Sequence, residues 1–185
     1  MHPLAVTLLG FGAGLVAALA AARQAYGVAL VAWLANRVLD GLDGVLARET
    51  RRVSDFGGYL DLLLDFLVYA LVPLGIVAGR PSLALALAAL VLLAAFYVNA
   101  ASWMYLAAVL ERREAGAAAR GEQTVVTMPR GLIEGTETMV FYALFLLLPG
   151  NVAPLFLVMA ALVAVTVAQR VWWAWRGLGT TPPSA

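Results

Sequence analysis

The sequence predicts an all-α membrane protein, a bundle of six transmembrane helices, and two observations indicate this class. Of the 185 residues, 63% are hydrophobic and 12% are charged, whereas soluble domains are nearer half apolar and a quarter charged. Apolar stretches also recur along the chain at about the 20-residue length that crosses a bilayer. The composition excludes a soluble globular enzyme, a nucleic-acid module and a disordered chain.

Short polar breaks separate the apolar stretches, and we find no linker that would divide the chain. A single membrane domain over residues 1–185 is therefore expected. The predicted spans are Leu4–Ala22, Tyr26 to about Leu42, Gly57–Ala78, Ser82–Leu110, Gly131–Leu148 and Val152 to about Trp173.

The first apolar stretch has an alternative interpretation as a signal peptide, because Ala17–Ala22 resembles a cleavage region. It lacks the basic segment that precedes the apolar part of such peptides, so we interpret it as a membrane helix. Gly10 and Gly14 would then allow a neighbouring helix to pack closely against it.

Arginine distribution predicts the orientation. With a cytoplasmic N-terminus, two arginines lie outside, Arg23 and Arg80, and a larger group lies inside, as the positive-inside rule requires. We therefore expect an inner-membrane protein with both termini and the active site on the cytoplasmic side. Trp172, Trp173 and Trp175, together with the adjacent Arg170 and Arg176, would anchor the tail at the interface. The inside group is Arg48, Arg51, Arg52, Arg112, Arg113, Arg120, Arg130, Arg170 and Arg176.

Residue types absent from the chain exclude several chemistries. There is no cysteine and only one histidine, His2, which leaves no disulfide, no thiolate metal site and no Ser–His–Asp triad. The net charge of +1 gives no reason to expect a nucleic-acid partner.

The informative residues are four aspartates in the second and third spans. Asp40 and Asp43 are three apart and Asp61 and Asp65 four apart, so each pair lies on one helical face. The short loop between the spans makes them antiparallel neighbours. We therefore expect the two acidic faces to meet near the inner membrane surface.

Converging carboxylates repel one another and are costly to desolvate. A hard divalent cation such as Mg²⁺ or Mn²⁺ would compensate them, and two ions could share the ligands. Two other interpretations are a structural ion-pair network with nearby arginines, including Arg37, and an ion path through the membrane. The transport interpretation fits less well, because the acids lie at one end of the spans.

Neighbouring residues favour phosphate chemistry. Gly44 and Ala47 would leave room for a ligand beside the backbone, and Arg48 would supply a fixed fork for a phosphate. Gly57 opens the facing helix one turn before Asp61.

In sequence order, Asp40, Asp43, Gly44, Ala47, Arg48, Gly57, Asp61 and Asp65 match the pattern D-x2-D-G-x2-A-R-x8-G-x3-D-x3-D. This pattern resembles the signature of the CDP-alcohol phosphatidyltransferase family. The length of the chain and its six predicted spans are also similar to those of the family, so the resemblance covers nearly the whole chain. The resemblance implies a membrane enzyme that transfers a substituted phosphate from a CDP-alcohol to a hydroxyl acceptor and releases CMP. It also implies a homodimer.

The resemblance assigns a role to each signature residue. Asp40, Asp43 and Asp61 would hold one metal ion, and Asp40, Asp61 and Asp65 the other. Asp65 would also be the general base for the acceptor hydroxyl. The residues that would contact or make room for the CDP group are Gly44, Ala47, Arg48, Ser54 and Gly57.

One departure from the family pattern lies at the N-terminus. Members often begin with Pro-Asn-x-x-Thr near the nucleotide, and here Pro3 and Thr7 fit but Leu4 replaces the asparagine. The resemblance therefore gives this stretch no firm nucleotide-binding role.

The start of the fifth span is a possible acceptor pocket. Arg130, Glu134 and Glu137 share one helical face, and the alternative is an Arg130–Glu134 pair at the interface. The acidic residues disfavour a phosphomonoester acceptor.

The resemblance thus implies phospholipid synthesis from a CDP-alcohol, with CDP-diacylglycerol as the expected donor. The sequence identifies neither the acceptor alcohol nor whether the lipid is carried on the CDP donor or is the acceptor. A divalent-cation transporter that uses the same carboxylates is the alternative function.

Overall fold

A computed structural model describes residues 2–112 and 131–178 of the chain, and these ranges contain six α-helices. A short 3-10 turn, Pro149–Asn151, precedes the last helix. The helices are α1 Pro3–Ala22, α2 Tyr26–Glu49, α3 Asp55–Gly79, α4 Leu83–Arg112, α5 Gly135–Leu147 and α6 Val152–Leu178.

Four segments are long and apolar enough to cross a membrane: Pro3–Ala22, Asp55–Gly79, Leu83–Arg112 and Pro149–Arg176. The all-helical class is thus confirmed, and membrane-crossing character is clear for four of the six predicted spans. The predicted bounds of the fifth span were wrong, because α5 has only 13 residues. At about 1.5 Å per residue its length is about 20 Å, below the roughly 30 Å of a hydrocarbon core.

Helix α2 is longer than predicted and continues past Leu42 to Glu49. Asp40, Asp43 and Arg48 therefore lie on one uninterrupted helix. The turn to α3 is short: Arg51 adopts a left-handed φ of 53°, and the Ser54 hydroxyl caps α3 by accepting a hydrogen bond from the Gly57 amide at 3.1 Å. This turn makes α2 and α3 antiparallel neighbours.

The chain divides into two compact units. The first comprises Met1–Ala89 and Met139–Phe156. Its core contains Trp33, Ile76, Tyr142, Phe145 and Phe156, all of which are fully buried.

Helix α1 packs closely on α2 and α3 through small residues. A Cβ on Gly14 would collide with the Val68 side chain, and one on Gly75 would collide with the backbone carbonyl of Ala18. The close packing expected at Gly14 is therefore found, and Gly75 of α3 adds a contact of the same kind, whereas a Cβ on Gly10 would lie at an ordinary contact distance of 3.4 Å from Leu39 Cβ. Such small residues let helix backbones approach in a membrane.

We expect Gly75→Ala to destabilise the protein by about 1–3 kcal/mol, because an added methyl group must displace backbone rather than a flexible side chain. Thermal unfolding in detergent, followed by circular dichroism, would measure the loss. The matched control is Gly12→Ala, whose Cβ meets no atom within 4 Å. Equal unfolding temperatures for the two variants would contradict the packing argument.

The second unit comprises Leu90–Thr138 and Leu157–Ala185, and its described part contains a buried arginine. Arg170 donates hydrogen bonds to the Asn99 side chain at 2.9 Å and to Ser102 at 2.5 Å. It is 6% exposed, so the expectation that Arg170 belongs to an interfacial anchor was wrong. Arg176 fits that expectation better, since its guanidinium lies 3.9 Å from the ring centre of Trp172.

Candidate active site

A cavity in the first unit brings the four aspartates together. It is small and partly open, and it lies among α1, α2 and α3. The lining residues are Thr7, Gly10, Phe11, Asn36, Asp40, Asp43, Asp61, Leu64, Asp65 and Val68. The predicted meeting of the two acidic faces is therefore found in the structure.

The carboxylates lie close enough to interact electrostatically. Asp40 interacts with Asp61 and Asp65, and Asp61 interacts with Asp43 and Asp65. Helical spacing of three and four aligns each pair along its own helix, and the Thr50–Ser54 turn brings the two helices together. The result is a concentrated negative charge in a partly buried site.

Thr7 of α1 holds the most buried of these aspartates. Its hydroxyl donates a hydrogen bond to Asp43 Oδ2 at 2.6 Å, and Asp43 is 5% exposed. Sequence reasoning considered Thr7 only in relation to the nucleotide and did not connect it with Asp43. A hydrogen bond from a neutral hydroxyl orients a carboxylate without neutralising it.

Arg37 is the site residue to which sequence reasoning assigned no specific partner. Its Nη2 lies 2.5 Å from Asp65 Oδ1, and its Nη1 lies 3.2 Å from Asp65 Oδ2. The Nη1 atom is also 3.6 Å from Asp40 Oδ2. An ion-pair network, the alternative to a metal site, is therefore present, although among the described residues it involves a single arginine. The sequence did contain a signal for the Arg37–Asp40 pair, because the two residues are three apart on one helix.

The donor set of the cavity fits a hard divalent cation, which prefers carboxylate oxygens. Asp40, Asp43, Asp61 and Asp65 are the residues that could hold it. Within residues 2–112 and 131–178, no three Asp, Glu or His side chains already converge on a single ion position. Three of the four aspartates instead have protein partners: Thr7 for Asp43, and Arg37 for both Asp65 and Asp40.

The other signature residues lie on the same two helices but do not line this cavity. A Cβ on Gly44 would lie 3.5 Å from Arg48 Nη1, so the Arg48 side chain extends over Gly44. A Cβ on Gly57 would lie 3.0 Å from the Ser54 hydroxyl, which explains the small residue beside the helix cap. Substrate contacts of these residues, and of Ala47, stay predictions.

The possible acceptor residues have local structural roles. Glu134 accepts a hydrogen bond from the Gly131 amide at 2.8 Å, and Glu137 accepts one from the Glu134 amide at 3.1 Å. Glu137 thus helps to cap the start of α5. Both glutamates are exposed, and Arg130 lies outside the described residues. An acceptor pocket at these positions stays a prediction.

Comparison with known proteins identifies the family. The model of the CDP-alcohol phosphatidyltransferase family matches residues 1–173. Inner membrane protein YnjF of Escherichia coli (strain K12) is 40% identical over 170 residues, which cover 92% of this chain and 81% of that protein. Archaetidylinositol phosphate synthase of Pyrococcus horikoshii is 39% identical over 77 residues, which cover 42% of this chain and 41% of that protein.

Solved structures show a similar fold. Phosphatidylinositol phosphate synthase of Mycobacterium tuberculosis with CDP-DAG bound has a TM-score of 0.76 and 21% identity, over 100% of this chain and 92% of that chain. The same enzyme in complex with manganese and citrate has a TM-score of 0.74 and 21% identity, over 100% and 88% of the two chains. Together with the match over residues 1–173, these likenesses lead to one conclusion: the chain is an enzyme of the CDP-alcohol phosphatidyltransferase family.

Proposed function

We propose that this enzyme transfers the phosphatidyl group of CDP-diacylglycerol to a hydroxyl acceptor in phospholipid synthesis. The acceptor oxygen forms a bond to the β-phosphorus of CDP-diacylglycerol, the bond to the bridging oxygen breaks, and CMP leaves. The observation that carries the proposal is the convergence of Asp40, Asp43, Asp61 and Asp65 on one cavity. The CDP-DAG complex of the mycobacterial relative supports the choice of donor.

Attack on a diphosphate requires neutralisation of the bridging and leaving oxygens, which two divalent ions supply when bound. Asp40, Asp43 and Asp61 would hold one ion, and Asp40, Asp61 and Asp65 the other. Asp65 would accept the proton of the acceptor hydroxyl. The manganese complex of the mycobacterial relative supports Mn²⁺ or Mg²⁺ as the cofactor.

The deciding experiment is CMP release by the purified enzyme in detergent. We expect CMP to form from CDP-diacylglycerol with Mn²⁺ or Mg²⁺ and a panel of alcohols, and to be lost with a chelator. The matched control is Glu49→Gln, which removes an exposed acid at the end of α2 that does not line the cavity. Mn²⁺ uptake into proteoliposomes without any CMP release would support the transporter instead.

The membrane arrangement is part of the proposal. Helix α2 and the longer segment Gly131–Leu148, which contains α5, would complete a six-span bundle in the inner membrane, with both termini and the aspartate cavity on the cytoplasmic side. The chain would act as a single catalytic domain over residues 1–185 and would form a homodimer. Arginine distribution supports the orientation, and the inner-membrane name of the Escherichia coli relative supports the location.

We expect Arg52→Cys to resist an impermeant thiol reagent that is added outside intact cells, because the turn between α2 and α3 would face the cytoplasm. Arg23→Cys, in the turn after α1, should label readily under the same conditions. Both positions are exposed, and the chain has no other cysteine. The reverse labelling pattern would invert the orientation.

The acceptor would be an alcohol without a phosphomonoester, such as a neutral polyol, a diacylglycerol or an amino alcohol. The basis is the acidic character of Glu134 and Glu137, because a carboxylate repels an acceptor phosphate. The names of two relatives favour the other possibility, since both are inositol phosphate lipid synthases. Inositol phosphate therefore belongs in the acceptor panel.

We expect Glu137→Gln to raise the acceptor KM while the affinity for CDP-diacylglycerol stays nearly unchanged. Glutamine removes the charge but keeps an oxygen that can cap α5 through the Glu134 amide. CMP release with each acceptor, at saturating donor, measures the effect. Efficient use of inositol phosphate or glycerol 3-phosphate, with no response to Glu137→Gln, would contradict the acceptor prediction and leave the family unaffected.

A further inference from the structure

The guanidinium of Arg37 has all of its hydrogen-bonding capacity occupied. A guanidinium has five N–H donors, and five contacts are present. Asn36 Oδ1 accepts from Nε at 2.9 Å and from Nη2 at 2.7 Å. Tyr69 Oη accepts from Nη1 at 2.9 Å, and the two oxygens of Asp65 accept the remaining pair. The Arg37 side chain is 8% exposed.

The groups around Arg37 are themselves held in position. Asn36 donates to the Gly10 carbonyl of α1 at 2.9 Å, which orients its own oxygen toward Arg37. The guanidinium lies 4.8 Å from the ring centre of Trp33 and 5.1 Å from that of Tyr69. The Tyr142 hydroxyl donates to the Tyr69 carbonyl at 2.5 Å. Arg37 is therefore a fixed cation inside the cavity wall.

This arrangement has a direct consequence for Asp65. A bidentate arginine pair uses both carboxylate oxygens and has a fixed geometry. A divalent ion that bound Asp65 would have to compete for those oxygens and would be repelled by the nearby positive charge. A divalent ion that bound Asp43 would meet no such repulsion from the partner of that aspartate, because Thr7 is neutral.

We infer that Arg37 acts as the resident counter-cation of Asp65 and makes the two metal positions unequal. The substrate-free enzyme binds one divalent ion tightly, through Asp40, Asp43 and Asp61. A second ion binds weakly until Asp65 is released from Arg37. This inference rests on the proposed metal-dependent function and adds an order of binding to it.

The test is titration of the metal-free, substrate-free enzyme in detergent with Mn²⁺ by isothermal calorimetry. Wild type should bind one ion tightly and a second at least about 10-fold more weakly. Arg37→Gln should tighten the second ion by at least about 10-fold, because Asp65 then lacks its cationic partner. Arg23→Gln, an exposed arginine in the turn after α1, is the matched control and should titrate like wild type.

Arg37→Gln removes the cation that offsets the four clustered carboxylates, and this loss can prevent folding. A second variant therefore tests the same inference with a smaller change. Tyr69→Phe removes one acceptor of the guanidinium and keeps the ring; it should tighten the second ion by a few-fold and leave the first unchanged. In Asp65→Asn, adding Arg37→Gln should tighten Mn²⁺ binding by less than the same change does in wild type, since only the repulsion by Arg37 and its 3.6 Å contact with Asp40 then remain to be removed.

The outcomes separate this inference from the proposed function. Two equally tight ions in wild type, or no tightening in either Arg37→Gln or Tyr69→Phe, would overturn the inference and leave the metal-dependent function intact. No Mn²⁺ binding by wild type would instead overturn the metal dependence itself.

Discussion

Asp61→Asn is expected to abolish both divalent-ion binding and CMP release. Asp61 lies in the aspartate cavity and interacts electrostatically with Asp43 and Asp65. By resemblance to the family it is shared by both ions, so its loss would leave two divalent charges poorly neutralised. Mn²⁺ calorimetry and CMP release, measured on the same preparation, check the two parts.

The metal-free stability of Asp61→Asn separates loss of function from loss of fold. Removing one of four clustered carboxylates relieves like-charge repulsion, so the metal-free unfolding temperature should not fall. Wild type should gain stability from Mn²⁺, because a ligand that binds only the folded state stabilises it, and the variant should not. Unchanged Mn²⁺ affinity in the variant would contradict the assignment of Asp61 to the metal site.

Asp65→Asn is expected to lower turnover by a factor of about 10²–10⁴, the usual contribution of a positioned general base. CDP-diacylglycerol affinity should change much less, because the donor is expected to lie against the signature residues that precede Asp65. Single-turnover CMP release and equilibrium donor binding measure the two quantities separately.

The Arg37 pair makes folding a necessary control for this variant. Breaking a buried pair by removing one partner can cost about 3–5 kcal/mol, and the Asp65 side chain is 22% exposed. Asparagine keeps one oxygen that can accept from Arg37, so a smaller loss is expected. Near-normal CMP release by a well-folded Asp65→Asn enzyme would remove Asp65 from the chemistry.

The aspartate site could be predicted from sequence because its pattern is local. Spacings of three and four align Asp40 with Asp43 and Asp61 with Asp65 on helices, and a short turn makes the two helices neighbours. The helical class followed similarly from composition and the length of apolar runs. Helix ends were less predictable: α2 extends to Glu49, and α5 begins only at Gly135.

Partners that are distant along the chain required the tertiary structure. Thr7 and Asp43 are 36 residues apart, and Arg37 and Asp65 are 28 apart; no periodicity links positions at those separations. The packing of α1 against α2 and α3 brings Thr7 to Asp43. The same reason applies to Arg170, which sequence reasoning assigned to the membrane interface but which packs against Asn99.

The sequence by itself thus determined the membrane class, the family and the four aspartates, because apolar run length and helical spacing are properties of neighbouring residues. Only the tertiary structure decided which carboxylates have protein partners, because those contacts depend on how separate helices pack. That packing gives Asp43 a neutral partner and Asp65 a cationic one.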